Sequence, residues 1–530
     1  MTLTPRRLLT GLRRHPWDAL GVLAATLYAI PSLAYPFARD HPLHWYIGQR
    51  LLEGELPYVS GVSTKPPGVF VLHALSTLLF GNGMHAVRVL DLFVVIVSGV
   101  LIATFRATVR TDQGSHCLPP RKDGEIGAAV LAVAILHYTF FDFSDTGHPE
   151  LWQGALMLGT GWILVRAPGG VISWRRAATA GAVAAMAVTL KHVAAVTGVI
   201  GGLFVVVEGL RHQSWRAAMR NAGAYTLGVV GVLALMLAPF VVAGALDAFW
   251  EVMVDFILHY AAGADGSPRG LPPWLHPSQA LLAASWAGAL LWSGWAVTLA
   301  TRNRVERRVG FYVLLFTLGI VASVIVQKRA LTSHTFTYYF VVVTPALALC
   351  VVWGLRSARL RASQLIVVAL FGAAFFWYAP RGTHVASWSF RAEHESFWAW
   401  ARGRKSWRAH HLPHRNSFLD DHVHQLEIVD HLRRRMQPGD TLCVDGALLT
   451  PYALTGMRCP SRFLSGDTAA TLPEWAEEHR RVLREQPPTF YVTFGLRPRV
   501  RRLMARGYTR HELRYPDRAW YAILERPRDR

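Results

Sequence analysis

One acid, one lysine and a short acidic run carry the chemistry this chain could do. Asp40 follows a long apolar segment and stands just before an aromatic run, His41 to Pro57. Charge is costly inside a bilayer, so an ionisable group at its edge is a candidate for function. A carboxylate placed there could act as general base on an acceptor hydroxyl. It could equally be a helix-end acid that meets water. Lys65 precedes Pro66 and Pro67. Two prolines favour an extended backbone before a helix start, which presents the ammonium outward. A fixed cation above a membrane suits a phosphate.

A second run, residues 140–150, offers Asp142, Asp145, His148 and Glu150 and has no Lys or Arg. Carboxylates with a histidine could hold a hard divalent ion or zinc, or form an acceptor site facing Asp40 and His41. The plainer readings are a solvated loop, or Asp145 as a helix cap with Glu150 in the first turn. A third run, residues 327–339, contains Lys328, Arg329, His334, Tyr338 and Tyr339. Its cations could snorkel as anchors or bind a lipid phosphate. Lys191, beside His192, interrupts an apolar stretch as either a plain loop or a further phosphate contact.

These residues need a scaffold, and the composition supplies a membrane one. The chain has 530 residues, 52% hydrophobic and only 17% charged. Soluble domains average about 25% charged. Apolar runs predict about eleven spans, near 18–38, 87–105, 126–141, 151–166, 177–190, 193–209, 222–244, 278–300, 309–326, 338–354 and 364–379. The net charge of +21 raises nucleic acid as a partner, but the arginines cluster in alternate short loops, and that pattern points to a cytoplasmic face instead. The alternation puts the N-terminus inside and the external loops at 39–86, 139–150, 245–277 and 327–337. Within the first loop Leu43, Tyr46, Ile47 and Leu51 share one helical face. Residues 246–261 read as an amphipathic helix on the outer leaflet, with Asp247, Glu251, Asp255 and His259 as its polar stripe.

Residues 381–415 read as a linker and 416–530 as a small extracytoplasmic α/β domain. Helices are expected over 420–436 and 472–484, and strands over 441–444, 489–493 and 520–524, with Pro438-Gly439-Asp440 as a turn. Cys443 and Cys459 would share an oxidising side, where a disulfide can persist. The tail histidines His410, His411, His414, His422, His424 and His431 fall in the linker and on an exposed-looking helix. No full metal-ligand set is evident among them.

The pattern Asp40…Tyr-Ile-Gly-Gln-Arg-Leu-Leu-Glu-Gly-Glu-Leu-Pro-Tyr58…Lys65-Pro-Pro-Gly…Leu-Phe-Gly81…Ala-Val-Arg88-Val-Leu resembles the first external loop of bacterial GT-C glycosyltransferases. It is similar to the branch with the lipid A aminoarabinose transferase and the protein O-mannosyltransferases. The resemblance implies a polytopic, mainly α membrane fold in the bacterial inner membrane. It implies transfer from a polyprenyl-phosphate sugar, with inversion, to an envelope glycolipid, glycan or protein. Asp40 then matches the catalytic acid. Lys65 matches the lysine on the donor phosphate, aided by Lys328, Arg329 or Lys191, with a divalent metal ion as a possible cofactor. Two departures stand out. Asp40-His41 replaces the Asp-Glu pair of many relatives, and Tyr338-Tyr339 replaces their His-Tyr, with His334 nearby. The competing readings are a lipid-linked sugar flippase or transporter, which internal repeats would mark, and a non-catalytic envelope assembly protein.

Overall fold

A computed structural model of the chain describes residues 15–38, 40–105, 108–111, 114–117, 123–166, 171–259, 337–357, 390–414, 422–446, 448–494, 498–514 and 520–527, with scattered positions in 315–322 and 366–373. The membrane part is a helical bundle. It runs α1 (Pro16–Ala29), α2 (His41–Leu52), α3 (Pro67–Phe80), α4 (Met84–Ala103), α5 (Glu125–Phe140), α6 (Pro149–Val165), α7 (Trp174–Leu190), α8 (Ala195–His212), α9 (Trp215–Val242), α10 (Leu246–Trp250) and α11 (Thr344–Ser357). A small hairpin of β1 (Thr108–Thr111) and β2 (Gly114–Cys117) lies between α4 and α5.

Among the described residues, four helices are long and apolar enough to cross a membrane: Pro16–Ala34, Met84–Ala103, His192–His212 and Trp215–Val242. Their outer faces carry bare apolar side chains, such as Leu235 at 75% exposure. Lipid can cover such faces, and helices satisfy their own backbone groups there. The expected spans over 126–141, 151–166, 177–190 and 338–354 also meet helices. Those over 278–300, 309–326 and 364–379 lie largely or wholly outside the described residues. One apolar helix lies outside the expected spans: α3, whose 14 residues rise only about 21 Å at 1.5 Å each, short of the ~30 Å hydrocarbon core.

α1 and α5 cap one another. Trp17 and Asp18 donate their backbone N–H groups to Asp123, while Ile126 and Gly127 donate theirs to Asp18. Each carboxylate satisfies donors that a helix start leaves bare. His15, Asp18 and Asp123 lie close enough to hold an ion, but capping already accounts for both acids. The two helices pass so closely that a Cβ on Gly21 would lie 2.3 Å from Gly127 Cα.

The tail carries a four-stranded sheet in the order β3 (Leu442–Val444), β4 (Phe490–Phe494), β6 (Trp520–Glu525), β5 (Thr509–Arg514). The first pair is parallel and the other two are antiparallel. Its helices include α14 (His422–Arg435) and α17 (Pro473–Glu485), with shorter ones at α15 (Thr450–Thr455), α16 (Gly466–Ala469) and α18 (Pro498–Ala505). Two expectations change here. Residues 390–411 are not linker but hold α12 (Phe390–Ala401) and α13 (Trp407–His411). α12 docks on the bundle, where Tyr28 and Phe390 rings lie 4.6 Å apart. Cys443 and Cys459 are free thiols. Cys443 is buried against Tyr491, Tyr508 and Leu524.

The helix expected on the outer leaflet is α10 continued by a π-helical turn, Glu251–Phe256. Its face is taken by protein. Val252, Met253 and Phe256 are buried with tail residues, and Phe256 lies 4.6 Å from the Trp475 ring. Glu251 accepts two hydrogen bonds from Arg462 and one from Trp475. Arg462 also binds Glu478. Its backbone carbonyl accepts from Val62 of the segment between α2 and α3. One arginine thus ties the tail to two membrane-side elements.

Candidate active site

Asp40 is the N-cap residue of α2, which Pro42 helps to start. Its side chain makes no cap hydrogen bond and is half-buried, and no described residue donates to its carboxylate. A helix N-cap that leaves its own N–H groups unserved keeps its carboxylate available. His41 is buried, and its Nδ1 accepts from the Ala38 N–H at 3.2 Å. That bond puts the neutral ring's proton on Nε2. The ring stacks 4.3 Å from His148 of the acidic loop.

Lys65 stands where two prolines put it. Pro66 is extended (φ −64°, ψ 158°), and α3 starts at Pro67. Tyr58, buried at a φ of +69°, donates its hydroxyl to the Lys65 carbonyl at 2.7 Å. A non-glycine residue at positive φ is uncommon and is held there by its surroundings. Here the Tyr58 ring is stacked on Phe240. Lys191 sits at the break after α7 and is also buried. Its ammonium donates to Glu150 Oε1 at 2.5 Å and lies 4.2 Å from the centre of the Tyr339 ring. Lys65 Nζ lies 3.8 Å from the same carboxylate oxygen.

Two ammonium groups therefore share one carboxylate in a buried place. Asp40 adds a second negative charge nearby, and buried charges are expensive unless they are paired. Burial opposes the charge on Lys65, but Glu150 and Asp40 outweigh it and hold the ammonium above its ordinary pKa. At Lys191 burial wins over Glu150 and, with Lys65 repelling it, brings the group down to about 8. Asp40 acts on both lysines electrostatically.

The acidic loop is buried, not solvated. Asp142 accepts from the Ser144 N–H at 2.8 Å and from its hydroxyl at 2.6 Å. Asp145 is fully buried and donates its N–H to the Asp142 carbonyl. It does not cap the helix: His148 is the N-cap of α6, with Glu150 in the first turn as expected. Arg88 organises the whole loop. It donates to the Thr146 carbonyl and hydroxyl, to the Phe143 carbonyl and, across the gap, to the Pro36 carbonyl before Asp40. Arg88 and Tyr58 are residues that chemical reading of the sequence passes over. Each acts through backbone carbonyls, which leave no mark in residue spacing.

Tyr339 reaches the site through Lys191. Tyr338 lies in the same 3-10 segment, Thr337–Val343. Lys328, Arg329 and His334 lie outside the described residues. An apolar groove of about 360 Å³ opens beside the lysines. Pro67, Gly68 and Val71 of α3 line it, with Met186, Thr189 and Leu190 of α7 and Leu235 and Phe240 of α9. Gly68 lets α3 and α7 touch, since a Cβ there would lie 2.3 Å from Thr189 Oγ1. Lys65 precedes Pro66-Pro67-Gly68 and Lys191 follows Thr189-Leu190. The groove lining therefore comes within two residues of each lysine along the chain.

No protein-family model and no curated protein matches the sequence. Solved structures do match in shape. ArnT from Cupriavidus metallidurans, a lipid A aminoarabinose transferase in the apo state, aligns with a TM-score of 0.54 at 15% identity, covering 96% of this chain and 98% of that one. This chain has the GT-C fold. The archaeal oligosaccharyltransferase AglB from Archaeoglobus fulgidus, in complex with an inhibitory peptide and a dolichol-phosphate, aligns at a TM-score of 0.41 and 10% identity, covering 96% of this chain and 74% of that one. At that score it adds no argument. The shared fold is mostly helical, and four of the described helices are long and apolar enough to cross a membrane. It brings residues from four separated stretches, Asp40–His41, Lys65, His148–Glu150 and Lys191, to one mouth above the groove.

Proposed function

We propose that this protein is a membrane glycosyltransferase. It moves a sugar from a polyprenyl-phosphate donor to an acceptor hydroxyl on the extracytoplasmic face, with inversion. The observation that carries the reading is an apolar groove whose lining comes within two residues in sequence of two buried lysines that share one carboxylate, with Asp40 acting on both and its carboxylate accepting no hydrogen bond from the described residues. A lipid-linked sugar phosphate has the same order of parts: apolar chain, phosphodiester, sugar. The chain would fill the groove, and the phosphate would bind at the ammonium groups of Lys65 and Lys191. As the sugar leaves, that charge stabilises the departing lipid phosphate. Asp40 would accept the proton of the attacking hydroxyl. Lys328 and Arg329 are further candidates for the phosphate, and Asp142, Asp145, His148, Glu150 and His41 for the acceptor side or a divalent ion. Alternating loop charge supports the outward orientation of the tail.

Mass spectrometry of envelope glycans and glycolipids from a strain without this chain tests the reading. One class of molecule is expected to lose a mass equal to a single sugar, restored by the wild-type chain. An unchanged envelope with a donor lipid that fails to cross the membrane would favour a flippase.

A further inference from the structure

The tail histidines were expected on a linker and an exposed helix, and the structure buries four of them, His410, His411, His414 and His422, together. Glu393 of α12, His410 and His411 of α13, His414 of the turn that follows and His422 at the start of α14 are 0–4% exposed. Their rings crowd: His410 and His411 lie 4.6 Å apart, His411 and His414 5.2 Å, His410 and His414 5.5 Å, and His411 and His422 5.5 Å. Glu393 faces them, with Oε2 3.3 Å from His414 Nε2 and Oε1 3.7 Å from His410 Nε2. Ser396 Oγ lies 2.9 Å from His410 Nδ1 and holds that ring with Nε2 toward the carboxylate.

This cluster is costly as it stands. Glu393 Oε1, His410 Nε2, His411 Nδ1, His414 Nδ1 and both ring nitrogens of His422 are buried without a hydrogen-bond partner among the described residues. Leaving such atoms buried and unpaired costs stability, and buried polar groups of this kind call for a missing partner such as an ion. Aromatic packing against Trp400 and Trp407 buries the rings but offers their nitrogens nothing. Neutral imidazole and carboxylate are the ligands zinc takes, and tetrahedral Zn–N bonds of about 2.0 Å set neighbouring ligand atoms about 3.3 Å apart. The Glu393–His414 pair already has that separation.

We propose that Glu393, His410, His411 and His414 hold a structural zinc ion. A second partner on the far nitrogen steadies a ligating imidazole, and Ser396 stands in that place for His410. The ion would tie α12 to α13 and the turn before α14. It would also seat this corner on the mouth of the bundle, where the His414 ring meets Phe143 at 4.9 Å and Tyr35 at 6.0 Å. Phe143 belongs to the loop that carries Asp142 and Asp145, so the metal would brace that loop from outside. This proposal stands apart from the transferase reading, and neither depends on the other.

The test uses the full chain in detergent, purified on a tag without histidines, equilibrated with Zn²⁺ and freed of loose ion. Elemental analysis is expected to find about one zinc per chain. Cobalt in its place should show the visible bands of a tetrahedral site. The near-isosteric Glu393→Gln should weaken zinc binding by more than about tenfold, and His410→Ala with His414→Ala should abolish it. Should the double variant fail to fold, Glu393→Gln carries the test alone. His148→Ala should keep the ion. Wild-type chain that retains no zinc, or zinc that survives Glu393→Gln unchanged, overturns the proposal. Zinc lost in His148→Ala instead would put the ion at the mouth and overturn it too.

Discussion

At the scale of single residues, the two lysines differ in a way that solution chemistry can read. Lys191 is pushed down to about 8 by burial, while Lys65 is held above its ordinary pKa by Glu150 and Asp40 despite burial. Below about pH 8 both are charged; as pH rises through that value Lys191 loses its proton and Lys65 keeps its own. The donor KM should therefore rise above about pH 8, and Lys191→Arg, which cannot deprotonate there, should flatten the profile. Lys65→Ala should raise the donor KM about 10- to 100-fold at any pH, the worth of a hydrogen bond to a charged group. A flat wild-type profile would remove Lys191 from the phosphate site. Asp40, Lys65 and Glu150 were legible in the sequence because each stands at a polar break beside an apolar run. Glu150 was legible only as an acid. Its role as shared counter-ion depends on Lys191, distant in sequence and close only after α6 and α7 pair.

At the scale of elements, turn chemistry made the tail readable. Pro438-Gly439-Asp440 ends α14's exit and starts β3 where expected, and α17, β4 and β6 lie within a residue or two of their sequence-based bounds. β5 was missed because Thr509–Arg514 alternates charge rather than hydrophobicity, and its pairing with β6 supplies what its own residues do not. The 390–411 segment was missed for a similar reason. Its arginines, histidines and tryptophans look like surface until α12 and α13 pack on one another and on α1. Docking of the tail rests on Arg462. Burial would raise the Glu251 carboxyl, but hydrogen bonds from Arg462 and Trp475 hold it below the ordinary glutamate range. The contact is present above that range and lost as pH falls through it. Arg462→Ala should cost about 2 kcal/mol, seen as a lower thermal transition at neutral pH. The deficit should shrink in acid, where the wild type loses the same contact.

At the scale of the molecule, the fold makes one mouth from pieces far apart in sequence. Arg88 binds the Asp40 side to the acidic loop, Tyr58 sets Lys65, Gly68 lets α3 and α7 close the groove, and the tail roofs the assembly through Arg462 and α12. Span lengths could give a helix bundle. They could not show that residues next to both lysines line one groove, because that depends on which helices touch. The central claim is that the lipid chain lies in this groove while Asp40 takes the acceptor's proton. It is tested most directly with purified chain in lipid vesicles, given a labelled polyprenyl-phosphate sugar and an envelope extract as acceptor. Wild-type chain should release polyprenyl phosphate and label an acceptor. Asp40→Asn should bind the donor as well as wild type and transfer about 10²- to 10⁴-fold more slowly. Transfer at the wild-type rate in Asp40→Asn, or passage of intact donor across the vesicle without release, would contradict the account.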